Sequence, residues 1–485
     1  MAGPPAEGSD RGGAGGAQGG SADPGETEPV LTQAARAAAR AEPADSATSA
    51  AGTPDRSSSA ADAPPPAKSS RRTFSSLAVR NFRLFATGQV VSNTGTWMQR
   101  VAQDWLILQL THGSGAAVGI ATGLQFLPML LFSLWGGMIA DRYPKRRVLM
   151  VTQAAMGGLA LTLGTLAVTG AVQPWHIYLL AFGLGLATVV DNPTRQSFAI
   201  EMVGRDDLQN AIALNSAVFN LARITGPAVA GLVISLVGTS AAFFLNATSY
   251  LTVIISLHLM RESELRPAER IARAKGQLRA GLAYVRSRPD LLMTMVLVFF
   301  IATFGMNFQV TTALMSKLVF HTGAGRFGIA SAVFALGALA GALAAARRSN
   351  TGMRLLIWTG LAFGLLEGVT GLMPSYWSFL ILLVPTGMAV ISFTTLANAS
   401  VQLSVPAEMR GRVMGIYMLV FLGGAPLGSP LTGWVAEQFG TRLSVIAGSV
   451  ISVVATLIVA VVIARFRGMP VRSYLRQPGF ARSAA

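Results

Sequence analysis

An all-α integral membrane protein of twelve transmembrane helices, paired as two pseudo-symmetric six-helix bundles, is the fold the sequence predicts, and three observations carry the prediction. Only 12% of the residues are charged and the mean hydropathy is +0.50, whereas a soluble chain carries about 25% charged residues. From about residue 82 onward, apolar stretches of roughly 20 residues recur, each able to cross a hydrocarbon core of about 30 Å at 1.5 Å per residue. The third observation is a polar, basic segment at 261–289, RESELRPAERIARAKGQLRAGLAYVRSRP, which divides those stretches six and six.

Residues 1–70 are mostly Ala, Gly, Pro, Ser, Asp and Glu, with almost no aromatic or β-branched residues. Such a segment buries too little apolar surface to offset its chain entropy, so a disordered cytoplasmic tail is expected. It has no charged run leading into an apolar one and does not read as a secretory signal. The first bundle is expected over 71–260, with spans at 84–108, 116–140, 148–170, 174–192, 208–236 and 240–260. After the 261–289 linker, the second is expected over 290–466, with spans at 290–314, 326–346, 354–373, 377–401, 411–436 and 442–465, and a short cytoplasmic tail at 467–485.

Lys and Arg in short loops are retained on the cytoplasmic side of a membrane. With the N-terminus inside, the inner loops carry Arg142, Lys145, Arg146, Arg147, Arg195, Arg205, the basic residues of the linker, Arg347, Arg348, Arg354, Arg410, Arg412, Arg465 and Arg467, and the outer loops only Lys317, Arg326 and Arg442. Both termini are therefore expected in the cytoplasm, and the net charge of +16 needs no nucleic acid to explain it. The preference for Arg over Lys, with abundant Ala and Gly, fits a bacterial coding bias and a bacterial plasma membrane. Cysteine is absent, so no thiolate metal or redox site can form.

Within span 1 the stretch QVVSNTGTWMQRVAQDW is unexpectedly polar. Gln89, Asn93, Thr96, Arg100 and Asp104 follow one another at helical spacing and form one stripe, while Val90, Val91, Met98, Val101 and Trp105 mark the opposite face. The stripe is expected to face a central translocation path, together with Trp97 near the middle of the span and Arg223 of span 5. Ionisable residues in mid-membrane carry a penalty of roughly 2.5 to 3.5 kcal/mol and almost always face a bundle interior or a watery cavity. Arg100 and Asp104 are one turn apart and can pair, or Asp104 can carry a proton; Glu367 of span 9 is the second candidate for proton coupling. Arg223 can attract an anionic substrate group or pair with an acid from another helix.

The halves also repeat. NPTRQSFAIEMV at 192–203 precedes Pro227, and NASVQLSVPAEM at 398–409 precedes Pro430, an offset of roughly 200 residues, and duplicated halves with a site between them are the architecture of alternating-access transporters. Between spans 2 and 3 the chain reads GGMIADRYPKRRVLM, where Gly137, Asp141, Arg142, Lys145 and Arg146 resemble the signature loop of the major facilitator superfamily, with Pro144 in place of the family's second glycine. VVDNPTRQSFAIEMV and VPAEMRGRVMGIY look like the branch of enterobactin-type exporters, the transmembrane secretion effectors. NLARITGPAVAG is similar to the motif of drug and proton antiporters: Gly226, Pro227 and Gly231 match, while Ala222 and Ala230 replace two of its glycines. The resemblance implies that this motif seals the outer side and favours export, with Gly337 and Gly341 of span 8 offering small residues for close contact. It also implies that Asp191, with Arg195 one turn on, joins Asp141, Arg142 and Arg146 in a cytoplasmic gate; a plain basic stop signal is the alternative reading of the loop.

The expected function is thus proton-coupled efflux of a small amphipathic compound, a drug, siderophore or secondary metabolite, by alternating access. Uptake of a small nutrient is the alternative within transport, and a transport-inactive membrane sensor a more distant one. No HExxH, GxSxG, Cys nucleophile or P-loop occurs, so an enzyme is not expected, nor any cofactor or metal. The expected partners are the small-molecule substrate, protons and the lipid bilayer, with a monomeric protein.

Overall fold

A computed structural model describes residues 74–204, 207–266, 277–347 and 352–468. The expected tail at 1–70, the middle of the linker, Arg205, Arg348 and the end of the chain beyond 468 lie outside the described residues. Twelve long helices follow in order: α1 Arg80–Leu110, α2 Gly115–Arg142, α3 Lys145–Val168, α4 Pro174–Val203, α5 Leu208–Val237 and α6 Thr239–His258 form the first half. After a linker helix, Gln277–Ser287, come α7 Pro289–Val319, α8 Ala324–Ala346, α9 Met353–Leu372, α10 Tyr376–Ser404, α11 Ala407–Phe439 and α12 Thr441–Phe466.

Eleven of the twelve are long and apolar enough to cross a membrane by length and composition. The exception is α1, whose polar residues lower its hydropathy but are sheltered inside the protein: Gln89, Asn93, Gln99, Gln103 and Asp104 are all buried. Met98, Val101 and Trp105 are buried as well, whereas Val90 and Val91 are exposed, so the apolar face meets neighbouring helices only along the second part of α1.

Local signals explain where the helices begin and turn. Ser114 caps α2, accepting a hydrogen bond from the backbone of Ala117, and Ser375 caps α10 in the same way with Ser378. The chain reverses between α5 and α6 at Gly238 and between α11 and α12 at Gly440, both in left-handed conformation with φ of 97° and 93°. Each is followed by Thr at the start of the next helix, VGT in one half and FGT in the other. The internal repeat is therefore present in the turns as well as in the spans.

Two seams join the halves, both at the end away from Arg80 and Phe466, where α1 begins and α12 ends. Along α2 and α11, Gly115, Gly119 and Gly123 face Gly433, Ser429 and Pro430; a side chain begun at Gly123 would meet Pro430 at 2.9 Å. Along α5 and α8, Gly231 approaches Gly325 just as closely, its missing Cβ 2.9 Å from the Gly325 carbonyl oxygen, and Gly328 lies against Pro227 and Gly231. Small residues permit backbones to meet this way, and here they do so on two opposite flanks of the molecule's centre.

The expectation for Gly337 and Gly341 is corrected. They pack on Val384 and Met388 of α10, inside the second half. Gly337 lies nine residues after Gly328, two and a half turns on, and so on the opposite face of α8. Toward the terminal end the α2–α11 contacts thin out: Gly423 still meets Leu130, but nothing lies within 4 Å of the side-chain position at Gly415 or Gly411. There the linker helix packs on α11, Gly281 against Arg412 and Ile416.

Because the chain has no cysteine of its own, the α5–α8 seam can be tested directly. A Cβ at Gly325 would lie 4.0 Å from Ser235 Oγ, so the double variant Ser235→Cys, Gly325→Cys should cross-link under mild oxidation and release on reduction. Two free thiols after oxidation, read by mass spectrometry, would contradict the seam.

Candidate functional site

Between the halves lies a cavity of about 360 Å³. The first half contributes Trp97, Arg100, Val101 and Asp104 from α1, Thr122 and Phe126 from α2, and Arg223 and Pro227 from α5. The second half contributes Asn307, Phe308 and Gln309 of α7, Ser331 and Phe334 of α8, Ile391 of α10, and Phe421 and Ser429 of α11, among others. A second compartment of about 500 Å³ extends toward the terminal end, walled by Asn93 and Thr96 of α1, Asp191, Asn192, Arg195 and Gln196 of α4, and Asn215 and Ser216 of α5. Trp97, Arg100, Phe126 and Leu422 line both, so these four side chains stand where the two compartments meet.

Arg100 and Asp104 do not pair. Among the described residues no ion pair joins them; the Arg100 guanidinium lies over the ring of Trp97 at 4.6 Å, with Phe126 at 5.7 Å, a cation–π arrangement that suits a desolvated arginine. Asp104 is 0% exposed and neither carboxylate oxygen has a hydrogen-bond partner. The polar group facing it is Gln309 of α7, whose own Nε2 is also without a partner. The acid of one half thus confronts an amide of the other across the cavity. Arg223 of α5, half-buried, lines the same cavity, with no ion pair among the described residues and its Nε lacking a partner.

The polar stripe of α1 divides among several neighbours rather than facing one space. Gln89 and Asn93 accept hydrogen bonds from Nη1 of Arg195, at 2.8 and 3.2 Å. Thr96 meets the hydroxyl of Tyr250 at 3.2 Å, and Gln99 accepts from Asn246, both partners on α6. Of the expected path, Asn93, Thr96, Trp97, Arg100, Asp104 and Arg223 line the compartments and Gln89 is enclosed.

The residues grouped as a cytoplasmic gate fall into two sets. Asp191, fully buried, pairs with Arg195 and accepts from Thr152 Oγ1 and Gln153 Nε2, each at 2.8 Å, which ties α1, α3 and α4 together. It lies twelve residues before Val203 at the end of α4, about 18 Å at 1.5 Å per residue, and this depth keeps it out of the loop. At the end itself, Lys145 pairs with Glu201, and Arg146 pairs with Glu262 while donating to the carbonyls of Leu257, at 2.6 Å, and His258, at 3.0 Å. Arg146 therefore caps the C-terminus of α6, where the helix dipole favours a cation. Asp141 and Arg142 sit at the exposed end of α2; Gly137 is buried beside Gly136, which packs on Val189 of α4.

Glu367 is 3% exposed but does not line either compartment. Its carboxylate sits inside the second half, Oε2 lying 3.1 Å from where a Cβ of Gly305 would be, and has no hydrogen-bond partner on that oxygen. Gly305 ends a π-helical turn, Ile301–Gly305, after which α7 is interrupted at Met306 and Asn307. Asn307 bridges the interruption, donating to the Thr303 carbonyl at 2.7 Å and accepting from Ser429 at 3.0 Å. The antiporter-type motif works through both faces of α5: Gly226 packs on Trp97 and Thr94 of α1, Pro227 and Gly231 on α8.

Three contributors escaped the sequence reading: Asn307, Gln309 and Glu437. The first two are polar residues in an otherwise apolar run, FGMNFQVTTAL, a signal of the same kind as that in α1. Glu437 of α11 reaches across to the start of α2, accepting from Ser114 Oγ at 2.6 Å and from the backbone of Ala116 at 3.0 Å. It places a carboxylate of one half on the helix N-terminus of the other, beside the α2–α11 seam.

A family model described as transmembrane secretion effector matches residues 71–474. The multidrug efflux pump Tap of Mycolicibacterium fortuitum is 26% identical over 401 residues, covering 80% of this chain and 97% of that protein. The staphyloferrin A transporter of Staphylococcus aureus is 24% identical, covering 71% and 87%, and the enterobactin exporter of Shigella flexneri 26% identical, covering 80% and 94%. Among solved structures, a bacterial homologue of the human lysosomal transporter Spinster matches with a TM-score of 0.64 at 16% identity over 82% of this chain and 98% of that one. The nucleoside transporter NupG matches with the same TM-score at 11% identity, covering 79% and 99%.

Breaking a buried ion pair from one side costs about 3 to 5 kcal/mol because it strands the other charge. Arg195 is partly exposed to the compartment, so Asp191→Ala should fall at or below the low end of that range, read as a lowered unfolding midpoint of the purified protein. Asp191→Ala with Arg195→Ala should recover part of the loss; a double variant no more stable than the single one would contradict the pairing.

Proposed function

Given that the chain belongs to the transmembrane secretion effector family of the major facilitator superfamily, we propose that it is a proton-coupled exporter of a small amphipathic compound. The observation that carries this reading is the cavity between the halves, lined by charged and aromatic side chains and sharing Trp97, Arg100, Phe126 and Leu422 with a second compartment on the terminal side. With both termini in the cytoplasm, as the basic loops indicate, that compartment is the cytoplasmic vestibule and the two glycine seams are the outer closure. Cargo enters from the cytoplasm, and parting of the seams releases it outside.

Relatives named as a multidrug efflux pump and an enterobactin exporter support the outward direction. In this reading the protein acts as a monomer, since the cavity is completed within one chain. Asp104 and Glu367 are the carboxylates that can carry the coupled proton: both are buried and each has an oxygen without a partner. Asp141, Arg142, Lys145, Arg146 and Glu262 form the part of the inner gate that is remade when the vestibule closes.

Deleting the gene should raise intracellular accumulation of a toxic or endogenous cargo, whereas a fall in uptake would overturn the export reading. In everted vesicles, Asp104→Asn should abolish the dependence of transport on the proton gradient while the protein still reaches the membrane. If the dependence persists in Asp104→Asn and disappears in Glu367→Gln, the proton is carried by Glu367; persistence in both variants would sink proton coupling at these sites. For the gate, Asp141→Asn should lower turnover several-fold with little change in apparent affinity, and the reverse split would contradict gating.

A further inference from the structure

Five charged side chains line the two compartments: Arg100, Arg195, Arg223, Asp104 and Asp191. Asp191 and Arg195 pair with each other and cancel. That leaves two guanidiniums against the single carboxylate of Asp104. Neither Arg100 nor Arg223 forms an ion pair among the described residues, and Nε of each is buried without a hydrogen-bond partner. The wall between the halves therefore carries surplus positive charge whether Asp104 is charged or neutral.

A desolvated guanidinium without a countercharge is costly, and its planar fork matches carboxylate, phosphate and sulfonate groups. We infer that the cargo of this cavity is an anion with an aromatic body, its charged group held by Arg223 and Arg100. Phe126, Phe308, Phe334 and Phe421 supply the apolar wall, and Phe308 and Phe334 are stacked at 4.3 Å as a flat platform. Trp97 and Phe126 hold the Arg100 guanidinium in place before any ligand arrives. The volume of about 360 Å³ is within the range of sites that take drug-sized ligands. On the terminal side the second compartment is lined by neutral amides, Asn192, Gln196 and Asn215, and among the described residues lining it the one acid, Asp191, is paired.

This inference rests on the reading of the cavity as the cargo site, but not on the direction of transport or on proton coupling. It is tested by equilibrium binding to the purified full-length protein, followed by fluorescence anisotropy with two aromatic dyes of similar size and opposite charge, carboxyfluorescein and rhodamine 6G. Carboxyfluorescein should bind at least tenfold more tightly. Arg223→Gln and Arg100→Gln should each weaken it about tenfold or more without weakening rhodamine 6G, while Arg223→Lys, which keeps the charge, should retain most of the binding.

Equal or tighter binding of rhodamine 6G, or carboxyfluorescein binding unchanged in both Gln variants, overturns the inference. Should a Gln variant fail to fold, competition on the unaltered protein decides: salicylate should displace carboxyfluorescein and benzylammonium should not, and the opposite pattern overturns the inference. Anion-selective binding without transport of carboxyfluorescein into everted vesicles would overturn the export reading and leave the anion site standing. Transport of rhodamine 6G alone would do the reverse.

Discussion

Hydrocarbon offers no partner to a polar side chain, so a membrane helix that carries glutamine, asparagine, arginine and aspartate can exist only if other helices or an internal space receive them. That constraint places α1. Its polar residues are taken up by α4 through Arg195, by α6 through Tyr250 and Asn246, and by the cavity through Arg100 and Asp104. The first half is assembled around those attachments, and the site lies where the last two polar residues find no protein partner. The same rule operates in the second half with a different solution: α7 is interrupted, and Asn307 supplies the hydrogen bonds that the interruption would leave open.

The halves differ in how they are held. At the positions of the repeat equivalent to Asp191 and Arg195 the second half has Ala397 and Val401, both fully buried. The first half is locked by a charged network and the second by apolar packing, with one buried acid among the described residues, Glu367, beside the π-helical turn. Of the two buried carboxylates, Asp104 lines the cavity and Glu367 does not, so a proton on Asp104 meets the cargo directly and a proton on Glu367 acts from outside the cargo's space.

Much of this was legible in the residues, because the signals were local. Hydropathy and spacing located the helices, and the spacing of Gln89, Asn93, Thr96, Arg100 and Asp104 marked α1 as internal even though its composition argues against a span. What was not legible depends on rotation and depth. Gly337 and Gly341 have the right spacing for a helix contact but lie on the wrong face of α8 for α5. Asp191, at the inner end of span 4, was grouped with the loop residues Asp141, Arg142 and Arg146 because the sequence does not show how deep in the bundle it lies. Gln309 and Glu437 act across the boundary between the halves, and no local pattern in one half announces its partner in the other.

The surplus of guanidinium over carboxylate in the central cavity also bears on what drives the cycle. A bacterial cell is electrically negative inside, and moving one elementary charge across its membrane is worth about 2.3 kcal/mol per 100 mV. A negatively charged cargo leaving such a cell runs down that voltage, and each additional negative charge adds the same increment. The two arginines that select the sign of the cargo would thereby select its power supply, making the membrane voltage itself a source of outward drive.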